Sequence, residues 1–155
     1  MATSKKHLMS LRKRIQKLLN ADRSPMCWEL GHFQAPMFIT EPGRTPTKPY
    51  MLVCLDKAST AIMGSDLVQD SPSPQDLLTL LIVSMENPLL GSGVPILPKS
   101  VHLDDPAVLE PLGTELGQLG VKVMLVKRLS GLHEFKKIVE HDLFSRQVRY
   151  SGGAN

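Results

Sequence analysis

Hydrophobic residues near the amino terminus recur at three- and four-residue steps, with basic residues between them. This spacing predicts an amphipathic helix whose apolar positions are Leu8, Leu11, Ile15, Leu18 and Leu19. Thr3 or Ser4 can cap its start, and the segment from Asn20 to Pro25 ends it.

Short apolar runs bounded by turn residues predict strands in the next part of the chain. Residues 26–33 form the first strand. Residues 50–56 (YMLVCLD) and 59–68 (STAIMGSDLV) form the two strands of a hairpin. The connector between the first strand and this hairpin is rich in proline and glycine, so we expect at most a short strand over residues 37–39.

A helix-start signal opens the second half of the chain. The segment Ser73-Pro74-Gln75-Asp76 provides an N-cap, a proline at the first helical position and an acid in the first turn. It predicts a helix that ends at about Asn87. A strand over residues 99–104 follows a proline- and glycine-rich loop.

Asp105-Pro106 starts a second helical stretch, which we expect to be interrupted or restarted at Pro111 and closed by Gly120 as C-cap. A buried strand over residues 121–126 comes next. Ser130 then caps a final helix to about Phe144.

Three antiparallel strands followed by alternating helices and strands predict an α/β domain with a mixed five-stranded sheet. Three strands of this sheet are antiparallel, the other two are parallel, and helices flank it. We divide the chain into a basic amphipathic helical arm (1–24), the α/β domain (26–144) and a flexible tail (145–155).

Composition places the chain among soluble globular proteins, with 42% hydrophobic and 21% charged residues. No apolar stretch approaches the ~20 residues of a membrane helix, and the charged amino terminus does not resemble a signal peptide. Cys27 and Cys54 have no metal-binding or disulfide-framework spacing. They favour a cytoplasmic chain with reduced thiols.

Positive charge is concentrated at the amino terminus. The chain has a net charge of +3, but residues 1–23 carry +6 and the remainder −3. The arm cations are Lys5, Lys6, Arg12, Lys13, Arg14, Lys17 and Arg23. They could bind nucleic acid, with a log–log salt dependence near −5 if about six phosphates are neutralised. They could also bind an anionic membrane surface or a partner's acidic groove. Equally, the helix could dock on its own domain with its lysines in water.

Two stretches resemble the integrase and transposase core of the ribonuclease-H-like fold. Residues 50–64 (YMLVCLDKASTAIMG) are similar to its hairpin, and residues 94–123 (VPILPKSVHLDDPAVLEPLGTELGQLGVKV) to its next strand and helix. The resemblance covers roughly residues 26–144. The chain is also similar to an uncharacterised bacterial family of domains of unknown function.

The resemblance implies a site in which three carboxylates hold two Mg²⁺ ions about 4 Å apart. Its first acid stands in the pattern W-x-x-D, but here Trp28-Glu29-Leu30-Gly31 has glycine at that position. Asp104 or Asp105 would be the second acid and Glu140 the third. The site is therefore expected to be degenerate.

Two other carboxylates do not restore the missing ligand. Glu29 shares a strand face with Gly31 but lies about 6.6 Å away along the strand. Asp56 falls at the hairpin turn, where the family often has a non-catalytic aspartate. A magnesium or manganese site built from Asp104 and Glu140 with Glu29 or Asp56 stays open as an alternative.

Several of these residues have an equally simple structural interpretation. Trp28 could stack on a ligand, but a strand tryptophan is more often part of the core. Asp105 before proline is a standard N-cap. The segments His133-Glu134 and Glu140-His141-Asp142 suggest a metal only weakly, since no HExxH motif is present. The chain also has no phosphate-binding glycine loop and no nucleophile elbow.

The sequence therefore favours a non-catalytic binding module for nucleic acid or a protein partner, without a cofactor. One alternative is a Mg²⁺- or Mn²⁺-dependent nuclease or strand transferase with an atypical carboxylate site. Another is a structural or assembly domain.

Overall fold

The computed structural model describes residues 2–40, 42–91 and 93–153, with side chains over residues 7–142 of these ranges. The helices are α1 (Ala2–Leu18), α2 (Pro74–Glu86), α3 (Pro106–Leu116) and α4 (Ser130–Gly153). The strands are β1 (Asp22–Arg23), β2 (Cys27–Gln34), β3 (Tyr50–Asp56), β4 (Ile62–Val68), β5 (Ile96–Leu97), β6 (Ser100–Leu103) and β7 (Lys122–Leu125).

Five of the strands form one mixed sheet in the order β4-β3-β2-β6-β7. The β4–β3 and β3–β2 pairs are antiparallel, whereas β2–β6 and β6–β7 are parallel. The predicted mixed α/β sheet of three antiparallel and two parallel strands is therefore confirmed. The short strands β1 and β5 pair separately, in parallel.

Side chains alternate across this sheet and form two separate cores. On one face, Trp28 and Leu30 of β2 pack with apolar residues of α1, α2 and α3. On the other face, Phe33 and Val53 pack with Leu129 and Leu132 at the start of α4. The sheet thus separates three helices from the fourth.

Local signals in the sequence fix several helix ends. Ser73 accepts from the backbone N–H of Asp76, while the Asp76 carboxylate accepts from the N–H of Ser73, so α2 begins with a reciprocal capping box. Asp105 caps α3 by accepting from the N–H of Ala107. After α3, a single 3₁₀ turn (Gly117–Leu119) follows, and Gly120 ends this turn with φ +72°, the left-handed conformation expected of a C-cap glycine.

The structure departs from the predicted helices at two points. α3 continues through Pro111, because Val108, Leu112 and Leu116 recur at four-residue steps and are all buried against the core on both sides of the proline. α4 extends to Gly153, past the end predicted at about Phe144.

The strand predictions need smaller changes. β4 starts at Ile62 rather than at residue 59, because residues 57–60 form the turn after β3. The short strand expected over residues 37–39 is reduced to a single bridge between Ile39 and Thr47.

α1 contributes to the larger core. Leu11 and Ile15 are fully buried, and Leu18 is 2% exposed. They pack in the same cluster as Trp28. Within the part of the chain that the structure describes, no helix has both the length and the apolar character needed to cross a membrane.

Candidate functional site at the carboxyl ends of β2 and β6

The parallel pairing of β2 and β6 brings their carboxyl ends to the same edge of the sheet, where open α/β sheets commonly bind ligands. Gly31 lies within β2, and Asp104 directly follows β6. The first turn of α4 covers β2 on the face of the sheet toward which Gly31 lies.

Leucine side chains occupy the space beside Gly31. A Cβ atom at this position would lie 2.6 Å from Leu132 Cδ2 and 2.8 Å from Leu129 Cδ1. Real Cβ atoms essentially never approach other heavy atoms this closely. Glycine therefore allows the close approach of α4, and an aspartate would displace two core leucines.

Glu29 also faces α4, and its carboxylate binds the backbone of this helix. Its side chain is 1% exposed, and its Oε1 accepts a hydrogen bond of 2.9 Å from the backbone N–H of Leu132. Leu132 belongs to the first turn of α4, whose N–H groups have no partner within the helix. A carboxylate is also favoured there by the helix dipole. Glu29 therefore anchors the amino terminus of α4 to the sheet.

Gly131 makes this anchoring possible. A Cβ atom there would stand 3.0 Å from Glu29 Oε1 and 2.9 Å from Leu55 Cδ1. The helix backbone thus approaches the carboxylate and β3 more closely than a larger residue would permit.

The other predicted carboxylates lie apart in different surroundings. Asp56 is 7% exposed, and its Oδ2 accepts from the backbone N–H and the hydroxyl of Ser59 in the turn after β3. Asp105 caps α3. Glu140 is exposed on α4, with its Oε1 3.9 Å from Lys136 Nζ. Asp104 is exposed at the end of β6.

A pair of magnesium or manganese ions does not fit this set of residues. Gly31 offers no oxygen, its surroundings are filled by leucine, and Glu29 holds a helix. Among the described residues, no three His, Cys, Asp or Glu side chains are placed to hold a metal ion.

Trp28 points away from this site. It is completely buried on the opposite face of the sheet, in the core with α1, α2 and α3. The stacking role considered for Trp28 would require an exposed indole ring, so the core interpretation holds.

The thiols are poor candidates for nucleophiles. Burial raises the pKa of the Cys54 thiol to about 12, with a hydrogen bond to Ser84 acting in the opposite direction. Such a thiol is almost entirely protonated at neutral pH. Cys27 is half-buried and, like Cys54, is free of any disulfide.

His102 lies beside Glu29 in the parallel register of β6 and β2. Desolvation lowers the pKa of this imidazole below its ordinary value, and the positive charge of Lys57 lowers it further. The carboxylate of Glu29 opposes both effects. His102 is therefore held toward its neutral form.

A small cleft opens at the sheet edge between Asp104 and α4. Its volume is about 190 Å³. We call it the cationic cleft, and its lining residues are His32, Phe33, Asp104, Arg128, Leu129, Leu132, His133 and Lys136. The lining thus includes Arg128, Lys136 and two histidines against a single carboxylate, Asp104, and this excess of basic groups favours an anionic ligand.

Reasoning from the sequence missed most of this cleft. Arg128 and Lys136 belong to no sequence motif, so the sequence does not mark them as binding residues. His32 lies about 100 residues before them, and only the docking of α4 on β2 brings these residues together. No local signal in the sequence could have shown this.

The basic arm has several of its charges occupied within the molecule. The guanidinium of Arg12 donates to Glu115, with Nη2 2.9 Å from Oε1, and that of Arg14 donates to Glu86. Arg23 donates to the carbonyl of Leu119.

Of the remaining arm cations, Lys13 and Lys17 are exposed on α1. The side chains of Lys5 and Lys6 lie outside the described residues. Because α1 packs with α2 and α3, the arm and the cationic cleft are on opposite sides of the sheet.

Residues 14–140 match the model of a family described as a domain of unknown function, DUF6930. The match covers more than half of the chain, which therefore belongs to this family. A comparison with curated proteins gives no match.

We predict that Gly31→Ala destabilises the protein by about 1–3 kcal/mol, because the added methyl group overpacks against Leu129 and Leu132. In a Leu132→Ala background the same change should cost about 0.5–3 kcal/mol less, because the clash with Leu132 is removed and only that with Leu129 remains. Urea unfolding of the four proteins in this cycle measures both values. Strict additivity would show that Leu132 does not fill the space beside Gly31.

A second prediction concerns pH. Because the pKa of folded His102 lies below its ordinary value of 6.5, the unfolded chain binds this proton more readily. The stability due to neutral His102 is present above about pH 6.5 and is lost as the pH falls through the lowered folded value. His102→Gln should therefore make the urea midpoint less sensitive to acid than in the wild type. A variant with unchanged acid sensitivity would contradict this assignment.

Proposed function

We propose that this member of the DUF6930 family is a non-catalytic, ribonuclease-H-like binding module. In this proposal the cationic cleft binds a phosphate group of a nucleic acid. The observation that carries it is the packing of Leu129 and Leu132 beside Gly31, next to a cleft lined by Arg128 and Lys136.

The strand arrangement supports the ribonuclease-H-like assignment. Three antiparallel strands lead into two parallel strands, joined through helices, in the order β4-β3-β2-β6-β7. This is the arrangement implied by the resemblance of residues 50–64 and 94–123 to integrase cores. The final helix also crosses the face on which Gly31 and Glu29 lie.

The packing at Gly31 supports the loss of catalysis. A two-metal nuclease needs oxygen ligands that bridge its ions, and here the first position is covered by Leu129 and Leu132. The alternative of a Mg²⁺- or Mn²⁺-dependent nuclease or strand transferase would have to recruit Glu29 or Asp56. Asp56 already accepts from Ser59 in the turn after β3. Recruitment of Glu29 would remove the acceptor of the Leu132 N–H and leave a buried donor without a partner, at a cost of about 1–3 kcal/mol.

The size and charge of the cationic cleft support a phosphate ligand. At about 190 Å³ it is smaller than the roughly 300–1,000 Å³ of typical small-molecule pockets. Arg128 and Lys136 outnumber Asp104, and arginine in particular donates to phosphate in bidentate geometry. Lys136 also has a contact of 3.9 Å with Glu140, but an exposed pair of this kind contributes little.

The arm gives weaker support for nucleic-acid binding. Arg12, Arg14 and Arg23 are bonded within the molecule. Among the arm cations whose side chains are described, this leaves the exposed Lys13 and Lys17 for phosphate contacts. Two phosphate contacts give a slope of log K against log salt concentration near −2, whereas about six phosphate contacts would give a slope near −5. An assembly role without nucleic acid is the remaining alternative.

Fluorescence anisotropy with labelled single- and double-stranded RNA and DNA, over a salt series, tests the proposal. The double variant Arg128→Ala/Lys136→Ala should bind more weakly, and its log–log salt slope should be shallower by about two. Lys13→Ala/Lys17→Ala is a matched control, because it removes the same charge from the opposite side of the sheet.

The two variants separate the outcomes. Loss of binding in the α1 variant, with the cleft variant unchanged, would assign nucleic-acid contact to the arm. Absence of salt-sensitive binding by the wild-type protein would remove nucleic acid as the ligand and favour the assembly role.

A further inference from the structure

β4 is an edge strand of the five-stranded sheet. The hydrogen bonds of its neighbour β3 show which main-chain groups of β4 point away from the sheet. The N–H of Ala35 donates to the carbonyl of Pro49 (2.8 Å), and the N–H of Lys57 donates to the carbonyl of Cys27 (2.9 Å). Odd-numbered residues of β3 therefore bond toward β2. Its even-numbered residues bond toward β4.

The same alternation extends into β4. Tyr50, Leu52 and Cys54 pair with Val68, Asp66 and Gly64, respectively. The main-chain groups of Ser65 and Leu67, which lie between these partners, consequently point away from the sheet.

Part of this outer edge is already bonded. The N–H of Leu89 donates to the carbonyl of Met63 at the start of β4 (2.9 Å), and the N–H of Leu67 donates to Asp66 Oδ1 (2.8 Å). Residues 65–67 are all exposed. Among the described residues none bonds to the outward groups of Ser65, so this stretch can pair with another strand.

An apolar groove runs beside this edge on the α4 side of the sheet. Its volume is about 500 Å³. We call it the methionine groove, and its lining residues are Ala35, Met37, Met51, Ser65, Asp66, Leu67, Val139 and Asp142. Leu67 is 46% exposed and lies directly opposite Met51. Methionines suit a surface that adapts to different side chains.

Both charged residues that line the groove are acidic. Asp142 also has a partner within the chain, so the argument for charge rests on Asp66, which lies on the edge itself. Asp70 follows two residues after β4 and is exposed. Acidic groups beside an unpaired edge favour a partner with basic side chains and disfavour a nucleic-acid backbone.

We propose that β4 and the methionine groove bind an extended, basic segment of a partner protein. The segment pairs with the outward N–H and carbonyl of Ser65 and with the carbonyl of Leu67 as a sixth strand, in the manner of strand addition to other exposed sheet edges. Its alternate apolar side chains enter the groove, and its lysines or arginines face Asp66. A second copy of this chain fits less well, because two β4 edges would bring like charges together.

Isothermal titration calorimetry and amide NMR of the full chain test this proposal with two synthetic peptides. In the lysine peptide valine alternates with lysine, and in the glutamate peptide valine alternates with glutamate. The lysine peptide should bind at least tenfold more tightly and shift the signals of Ser65, Leu67, Met37 and Met51. Ser65→Pro removes an outward N–H that the sheet does not use, and proline is tolerated at such edge positions. It should weaken binding at least tenfold.

Leu67→Ser tests the groove separately, since it removes an exposed apolar side chain and leaves the fold in place. It should weaken binding of the lysine peptide, while Leu90→Ser, at a residue 59% exposed outside the groove, should not. Undetectable binding of the lysine peptide, equal affinity for both peptides, or signal changes away from β4 would overturn the proposal. Self-association of the chain that Ser65→Pro abolishes would assign the edge to a second copy instead.

Discussion

The docking of the first turn of α4 on the middle of β2 determines both the space beside Gly31 and the position of the cationic cleft. It combines one buried hydrogen bond, from the Leu132 N–H to Glu29, with the packing of Leu129 and Leu132 over Gly31. The hydrogen bond satisfies a helix-end donor that would otherwise be buried without a partner. The leucines fill the space in which a carboxylate and a metal ion would have to stand.

The same contact creates the cationic cleft. Once the helix start is fixed on β2, Arg128, His133 and Lys136 lie at the edge where β6 ends in Asp104. On the opposite face, Arg12 and Arg14 bond to Glu115 and Glu86 and help hold α1 on the core. Much of the arm's positive charge is therefore structural, whereas the cleft keeps cations near the edge at which open sheets bind ligands.

Sequence reasoning succeeded where the determinant is local. The capping box of Ser73 and Asp76, the N-cap of Asp105 and the left-handed Gly120 all act within a few residues. The five-stranded sheet followed from the order and connection lengths of its strands. At Pro111, local propensity gave way to tertiary packing, because the buried stripe of α3 continues past the proline.

The chemistry of the site was harder to predict because it depends on distant contacts. The resemblance to integrase cores predicts a carboxylate at the position of Gly31, but the two leucines that pack beside this glycine lie about 100 residues later. The sequence leaves Glu29 open as a metal ligand, but its partner in the structure is the backbone N–H of Leu132, 103 residues away in the chain. Neither relation leaves a signature in spacing or composition.

Paramagnetic NMR with Mn²⁺ tests the central claim most directly. If leucine packing and the Glu29 hydrogen bond have closed the carboxylate site, Mn²⁺ should cause no saturable, localised broadening of the amide signals of Gly31, Asp104 and Leu132. Broadening confined to these residues and saturating with added Mn²⁺ would show that the sheet still binds divalent ions there.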